Sequence, residues 1–413
     1  LGLVERAELT ERPSIVVVGD LVEGWPPHDG DTRMLDEGAD DWPERLRDEP
    51  YVPPGLHGGH RDGLRVAGGY LERLPLACVA AGLADHAEIW HHARSRDVPA
   101  LRRDSRHLAR RVFRLDADEA PFRSRHMLRF IEAVGAPHIL VVLGLGVSEE
   151  ILAACGDSFK VYNSIDAPAL RVPPAVSRHF NLVLTGAQWQ SSEVEARHPG
   201  MATAIMPIGP EFADAETFRP LGGEKPYDVV YVAAAQPYKR HDILFDALAQ
   251  APRRLKALCV FGYGEMGEVL RSDAAERGLD VDFVGPPGVP FAEVNRLMNL
   301  AKIGVVCGVD DGAPAILTEY MLAGLPVLAN ERLACGLQFI TAETGRTAPA
   351  ENFGQAIAEM LDTLPDFRPR QVAADRWTWP HTIKRFQSLL QQSSRFHPPH
   401  AERTRDRLVR TPR

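Results

Sequence analysis

The sequence predicts an α/β protein made of two doubly wound parallel sheets that face each other across a cleft. Three observations carry this expectation. Short runs of Val, Ile and Leu recur without polar alternation, as in strands covered on both faces. Those runs alternate with longer amphipathic segments, the rhythm of βαβ units. The rhythm halts once, in the Pro-, Gly- and charge-rich segment 207–226, and then restarts. A length of 413 residues fits two or three domains.

In the first half, Ser14-Ile-Val-Val-Val-Gly19 reads as a strand and 70–82 as a helix. A short strand at 88–90 and a strong one at 138–143 follow, then a helix at 148–155 and strands at 160–163 and 182–185. The second half repeats the pattern, with strands expected at 228–232, 258–261, 281–284, 303–306 and 326–329. Helices are expected at 241–250, 267–277, 291–301 and 315–323. The expected organisation is a first domain over 1–210, a second over 211–382 and a final helix over 383–394 that crosses back to the first. Two stretches escape the scheme. The segment 24–69 is a long loop or insertion rich in Pro, Gly, Asp and His, and loops of that length are functional or disordered. The tail 395–413 carries six arginines against Glu402 and Asp406, and is expected to be disordered, with weak contact to anionic lipid as the sharper alternative.

Composition narrows the function. With 45% hydrophobic and 25% charged residues the chain is of the ordinary globular class. A formal net charge of −9 argues against general nucleic-acid binding, which rests on neutralising phosphates. Cys78, Cys155, Cys259, Cys307 and Cys335 are odd in number, widely spaced and without a CxxC pair, the usage of a reducing compartment. No apolar stretch approaches the roughly 20 residues of a membrane span, and the charged segment 1–14 is unlike a secretory signal. A cytoplasmic protein, at most peripheral to the membrane, is expected. His91-His92 has no third ligand at a sensible spacing and is assigned to structure rather than to a metal.

The segment from Asp310 to Ala329 carries the most chemical information. It reads as a strand end, a turn holding Gly312, Ala313 and Pro314, a helix and another strand. Backbone N–H groups at such a turn favour an anionic or hydroxyl-rich ligand. Asp311 and Glu319 could accept hydrogen bonds from sugar or ribose hydroxyls; the plain alternative is a helix-start acid and a solvated Glu.

This segment resembles the signature of the family-4 retaining glycosyltransferases, nucleotide-sugar enzymes of the GT-B fold. Asp311 matches the first acidic position, Glu in most members, and Glu319 the second. In order along the chain, Met206-Pro-Ile-Gly209 with Phe218-Arg-Pro220 resembles the interdomain linker. Tyr238-Lys-Arg-His-Asp242 resembles the loop with a phosphate-binding Lys, Phe261-Gly-Tyr-Gly-Glu265 the Gly-x-Gly turn, and Phe283-Val-Gly285 the turn that touches the nucleobase. Glu343-Thr-Gly345 and Trp377-Thr-Trp379 resemble the family's late loop and its ending. The likeness is good over 205–390 and over 14–204 is mainly one of element order.

The resemblance implies that Lys239, with Arg240 adjacent, neutralises the donor diphosphate, that Glu319 holds the ribose diol and Asp311 the transferred sugar. It implies donor contacts at Gly262, Gly264, Gly285, Gly312, Ala313 and Pro314. In the first domain it implies Asp166 as a catalytic candidate and a phosphate loop at Gly68-Gly69, with Pro26-Pro-His-Asp-Gly30 resembling the start of that loop. His57-Gly-Gly-His60-Arg61 lies between them. The sequence departs from the family at Ala234, where an Arg is usual, and at Ile165, where a His is usual. The expected activity is transfer of a sugar from a UDP-, GDP- or ADP-sugar to a hydroxyl of a glycan, glycolipid or small molecule, with retention and without an obligatory metal or other cofactor. The alternative is a catalytically silent nucleotide-sugar-binding protein of the same fold. A nicotinamide dehydrogenase would use Gly262, Gly264 and Gly267, but no acidic residue is well placed after the next strand.

Overall fold

The structure is a computed structural model that describes residues 13–22, 32–34, 70–94, 99–105 and 107–393. The phosphate-loop candidates Gly68 and Gly69, the His57–Arg61 cluster and the tail 395–413 lie outside the described residues.

Two sheets form, as the buried Val/Ile/Leu runs require. The first contains β1 (Ser14–Val22), β2 (Thr32–Met34), β3 (His86–Ala93), β4 (Pro99–Ser105), β5 (Leu108–Arg114), β6 (Ile139–Leu143), β7 (Phe159–Asn163), β8 (Leu182–Thr185) and β9 (Ala202–Ile205). Their order is β2-β4-β5-β3-β1-β6-β7-β8-β9. Helices α1 (Tyr70–Ala80), α2 (Arg125–Val134), α3 (Glu149–Ala154) and α4 (Gln188–Arg197) cover it. The second sheet, ordered β12-β11-β10-β13-β14-β15, contains β10 (Tyr227–Val232), β11 (Ala257–Val260), β12 (Val281–Val284), β13 (Ala301–Val306), β14 (Val327–Asn330) and β15 (Gly345–Ala348). Around it lie α5 (His241–Gln250), α6 (Gly267–Glu276), α7 (Phe291–Asn299), α8 (Ile316–Leu322), α9 (Phe353–Asp362) and α10 (Pro369–Arg376). The last helix, α11 (Trp379–Gln392), returns to the first sheet, where Ile383, Phe386 and Leu390 join the core beside Leu71, Leu74 and Ala77 of α1.

Alternation along each strand sends side chains to both faces. Ile15 and Val17 of β1 face the α1–α11 side, whereas Val16 and Val18 face Met127, Ile131 and Ile151 on the α2–α3 side. The second sheet is buried the same way, with Val229 and Tyr231 on one side and Val230 on the other. This two-sided burial explains why continuous apolar runs, not alternating ones, mark these strands.

The first sheet departs from the expectation in three ways, one being the edge strand β9, whose short Ala-Thr-Ala-Ile run carries no strong apolar signal. The segment expected as a three-residue strand is an eight-residue one, β3, and the sheet continues past it through β5 to an antiparallel edge, β5-β4-β2. The reason β5 escapes an apolar reading is its sequence, Leu-Ala-Arg-Arg-Val-Phe-Arg. Arg110 is buried against Glu72 of α1, and Arg111 makes a bidentate pair with Glu88 of β3 at 2.9 and 3.0 Å. Charges can occupy a buried strand when each is paired and hydrogen-bonded, and no local pattern reveals those partners.

Chain order reverses between β1 and β6 in the first sheet and between β10 and β13 in the second. At such a switch point the loops leave toward opposite faces and open a crevice at the strands' carboxyl ends. In the second sheet the loops bordering it are those that carry Lys239, after β10, and Asp311, after β13. Helix α8 is seated on this sheet by a close fit. A Cβ on Gly304 of β13 would lie 2.4 Å from the ring of Tyr320, whose hydroxyl accepts from the Val232 N–H at 2.7 Å.

Two outcomes follow from this packing. Gly304→Ala should push Tyr320 and α8 off the sheet and lower stability by about 1–3 kcal/mol, read as a shifted urea midpoint. His92 is fully enclosed next to Phe122, and burial pulls its pKa down to about 4, against a smaller opposing pull from the Gly19 backbone. A histidine kept neutral by folding takes up more protons when unfolded, so its contribution is lost as pH falls from about 6.5 toward 4. Between pH 7 and pH 5 this amounts to about 2 kcal/mol. His92→Leu should flatten the urea-measured stability–pH profile by that amount; an unchanged slope would show that His92 does not titrate there.

Candidate active site

The site lies where the carboxyl ends of both sheets meet. From the second sheet, β10 runs into the 3-10 turn Pro237–Lys239, held because the Tyr231 hydroxyl donates to the Lys239 carbonyl at 2.6 Å. Arg240 follows in a left-handed conformation, φ 54°, uncommon for a residue with a Cβ. Its guanidinium turns onto Asp242 at 2.7 to 3.1 Å, so Arg240 is spent at the start of α5 while Lys239 turns to Asp311 on the neighbouring loop.

The Lys239 ammonium pairs with Asp311 and sits 4.8 Å from the Tyr238 ring centre. Burial alone would lower the lysine's pKa, but the Asp311 carboxylate more than offsets it, and Lys239 is held above its ordinary value. It is therefore a firm cation at neutral pH. Burial, with the lysine's charge adding to it, instead pulls the pKa of neighbouring His241 down to about 4, so this histidine is neutral there. Asp311 also accepts from the Ala313 N–H at 3.3 Å, which fixes the turn through Gly312, Ala313 and Pro314.

Helix α8 begins just beyond that turn and carries Glu319. Its carboxylate is not solvated. Glu319 pairs with Arg73 of α1, a first-sheet helix, and Arg73 also donates to the Gly209 carbonyl in the segment that joins the two halves. Ala234, where the family resemblance anticipates a cation, is buried and supplies none.

The neighbouring loops fit around this core. Gly264, at φ 119°, crosses so near Ala235 that a Cβ would lie 2.3 Å from its carbonyl oxygen. Gly262 has open space where a side chain would be. The Gly285 carbonyl accepts from Arg271. Gly262 and Gly264 follow β11, Gly285 follows β12 and Gly312 follows β13, all at the carboxyl edge of the second sheet.

From the first sheet, β7 delivers Asn163, Ser164, Ile165 and Asp166. The Asp166 side chain pairs with Arg171 at 3.0 Å, while its backbone touches the second half: a Cβ on Gly312 would lie 2.3 Å from the Asp166 carbonyl oxygen. Ile165, where the resemblance anticipates a histidine, packs against the apolar core. Gly186, after β8, is equally tight, with its Cβ position 2.2 Å from the Gly312 carbonyl oxygen and 2.9 Å from Cys335 Cβ. Gln338 donates to the Gly186 carbonyl at 2.8 Å and the Trp189 indole donates to Ala334 at 2.7 Å, both from one half to the other.

Lys239 and Asp311 are thus paired, with Gly312 in the turn beside them; Glu319, in the first turn of α8 just beyond, is held by Arg73; Asp166 arrives through its backbone, and Arg240 is turned aside. Sequence reasoning missed Arg73, Trp189, Gln338 and Gln190, whose amide accepts from the Gly186 N–H at 2.7 Å and donates to the Asp166 carbonyl at 2.8 Å. A signal existed for the first of these, because Glu72-Arg73 is a charged pair in an otherwise apolar helix. Among the described residues no group of three or more His, Cys, Asp or Glu could hold a metal ion, and no helix is long and apolar enough to cross a membrane.

Residues 214–371, which span this second-half machinery, match the family model described as Glycosyl transferases group 1. No curated protein matches the sequence. Among solved structures, the sucrose-phosphate synthase of Thermosynechococcus elongatus aligns with a TM-score of 0.61 and 18% identity, over 92% of this chain and 99% of that one. Anabaena HepE in complex with UDP and glucose aligns with a TM-score of 0.60 and 14% identity, over 92% and 100%. The pneumococcal O-GlcNAc transferase GtfA, in complex with UDP and GlcNAc, aligns with a TM-score of 0.52 and 12% identity over 64% of this chain; the match spans 58% of that longer protein. With two facing α/β sheets and these structural neighbours, the chain has the GT-B fold of glycosyltransferases.

Proposed function

We propose that the protein is a glycosyltransferase that moves a hexose from a nucleotide-diphosphate sugar to an acceptor hydroxyl with retention of configuration. The observation that carries the reading is the junction of Lys239, Asp311 and Glu319 at the switch point of the second sheet, facing the first. A diphosphate leaving group needs positive charge placed where negative charge develops, and a preorganised cation in a low-dielectric crevice meets that need. Lys239 would supply it. In the structure its charge is balanced by Asp311, so an arriving diphosphate would compete for a cation already in position. Asp311 would then be free to accept from hydroxyls of the sugar, and Glu319 would accept from the ribose diol. Retention follows in this reading from attack on the face the diphosphate leaves, with the leaving phosphate taking the acceptor proton, so no fixed base is required.

UDP is the first nucleotide to test, because the HepE and GtfA structures hold UDP. The acceptor side is assigned to the first half, and the setting to the cytoplasm, where nucleotide sugars are made; peripheral contact through the arginine-rich tail belongs to the same proposal. The catalytically silent alternative is motivated by Ala234 and Ile165.

Three outcomes test the reading. Lys239→Ala should reduce donor turnover by about 10²–10³-fold and weaken UDP in isothermal titration; equal affinity and turnover in wild type and variant would refute the assignment. Asp311→Asn should split the two readouts, leaving UDP affinity equal or higher, since the competing carboxylate is neutral, while UDP-sugar hydrolysis falls about 10²-fold. UDP binding is expected to survive EDTA unchanged. Tight nucleotide binding with no turnover of any sugar donor in wild type would favour the silent binder.

A further inference from the structure

We propose that Arg73 is a positioning residue for the nucleotide site: from the first half it holds the Glu319 carboxylate in place, so that this carboxylate is oriented for a ligand only while the two halves are closed on each other. The inference rests on the proposed nucleotide-sugar reading for its ligand, and on geometry for the rest.

Arg73 is fully buried, and the Glu319 side chain is 8% exposed. They lie 246 residues apart along the chain, one on α1 over the first sheet and the other on α8 over the second. The two terminal nitrogens of the guanidinium have separate tasks: Nη2 engages Glu319 Oε1 and Nη1 engages the Gly209 carbonyl. Gly209 belongs to the helical turn Ile208–Glu211 in the connection between the halves. The same turn holds α8 from another side, because Thr318 donates to the Pro210 carbonyl at 2.8 Å. The approach is so close that a Cβ on Gly209 would lie 2.9 Å from the Ala313 carbonyl oxygen. Arg73 therefore sits where a first-half helix, the connecting turn and the ligand-bearing helix of the second half converge.

The opposite side of α1 is fixed as well. Glu72, next in sequence, pairs with buried Arg110 of β5, and Arg110 Nη1 lies 3.2 Å from His91 Nε2 of β3. Successive charges on one helix thus run from the interior of the first sheet to the Glu319 carboxylate. A guanidinium can hold a carboxylate with one terminal nitrogen and a carbonyl with the other in a fixed plane, a division of contacts that a lysine with its single nitrogen reproduces less well. With both terminal nitrogens engaged, Arg73 is not a replacement for the phosphate-binding cation that Ala234 lacks. It acts through Glu319.

A double-mutant cycle with UDP as the probe tests this. In the full chain, Arg73→Gln and Glu319→Gln should each weaken UDP binding by about tenfold or more, and the double variant should bind no worse than Glu319→Gln alone. Arg73→Lys should recover part of the loss. Losses that multiply in the double variant, or an Arg73→Gln protein with wild-type affinity, would overturn the proposal. A second readout does not need the nucleotide: the distance between spin labels on the two halves, with circular dichroism checking that each variant folds. Arg73→Gln should lengthen or broaden that distance in the unliganded protein, and an unchanged distribution would overturn the closure part. If wild type fails to bind UDP, GDP or ADP, the functional reading fails, and with it the ligand part of this proposal; the closure part is still decided by the distances.

Discussion

Where Gly312 meets the backbone of Asp166, two halves of the chain approach without any side chain between them. That contact sets what the rest of the structure can do. A parallel sheet offers ligand-binding loops only at its carboxyl edge, and a site shared by two sheets requires those edges to meet within a few ångströms. Any Cβ at Gly312 or Gly186 would occupy the space of the opposing chain. Gln338 and Trp189 donate across the same gap to the backbone carbonyls of Gly186 and Ala334. Closure in this protein is a matter of backbone fit sealed by a few directed bonds.

The charges near that gap are handled as pairs. Lys239 with Asp311, Arg73 with Glu319, and Glu72 with Arg110 are all largely withdrawn from solvent. Buried ion pairs contribute little net stability compared with apolar packing, yet removing one partner leaves a charge stranded and is costly. Such pairs suit a site that exchanges partners. The carboxylates are already desolvated and oriented, so a ligand at the proposed site would compete with a neighbouring side chain more than with bulk water.

How much of this the sequence revealed varied with how local the cause is. Five of the six strands of the second sheet were legible, because Asp228-Val-Val-Tyr-Val232 or Ile303-Gly-Val-Val306 contains its own reason for being a buried strand; the edge strand β15, Gly-Arg-Thr-Ala, has no apolar run and was not. Asp311 and Glu319 could be picked out from the strand–turn–helix segment that carries them, and Lys239 through the resemblance of Tyr238–Asp242 to a family loop. The sheet edge at β5 was not legible, since Arg110 and Arg111 look like surface residues until Glu72 and Glu88 are placed beside them. Arg73 was missed for the same reason: its significance lies in a partner on the far side of the molecule. The direction of Arg240 was also beyond sequence, because adjacency to Lys239 says nothing of the left-handed backbone that sends its side chain to Asp242.

Helix α11 closes a loop in the topology whose effect is temporal. Ile383, Phe386 and Leu390 fill the apolar layer under α1, and each such side chain contributes about 1.5–3 kcal/mol when enclosed. On a ribosome the first sheet is complete long before these residues are made, so it must wait with one greasy flank bare. The second half can assemble around its own apolar layers in the meantime. The half synthesised first therefore completes its apolar layer only once the last helix has been made.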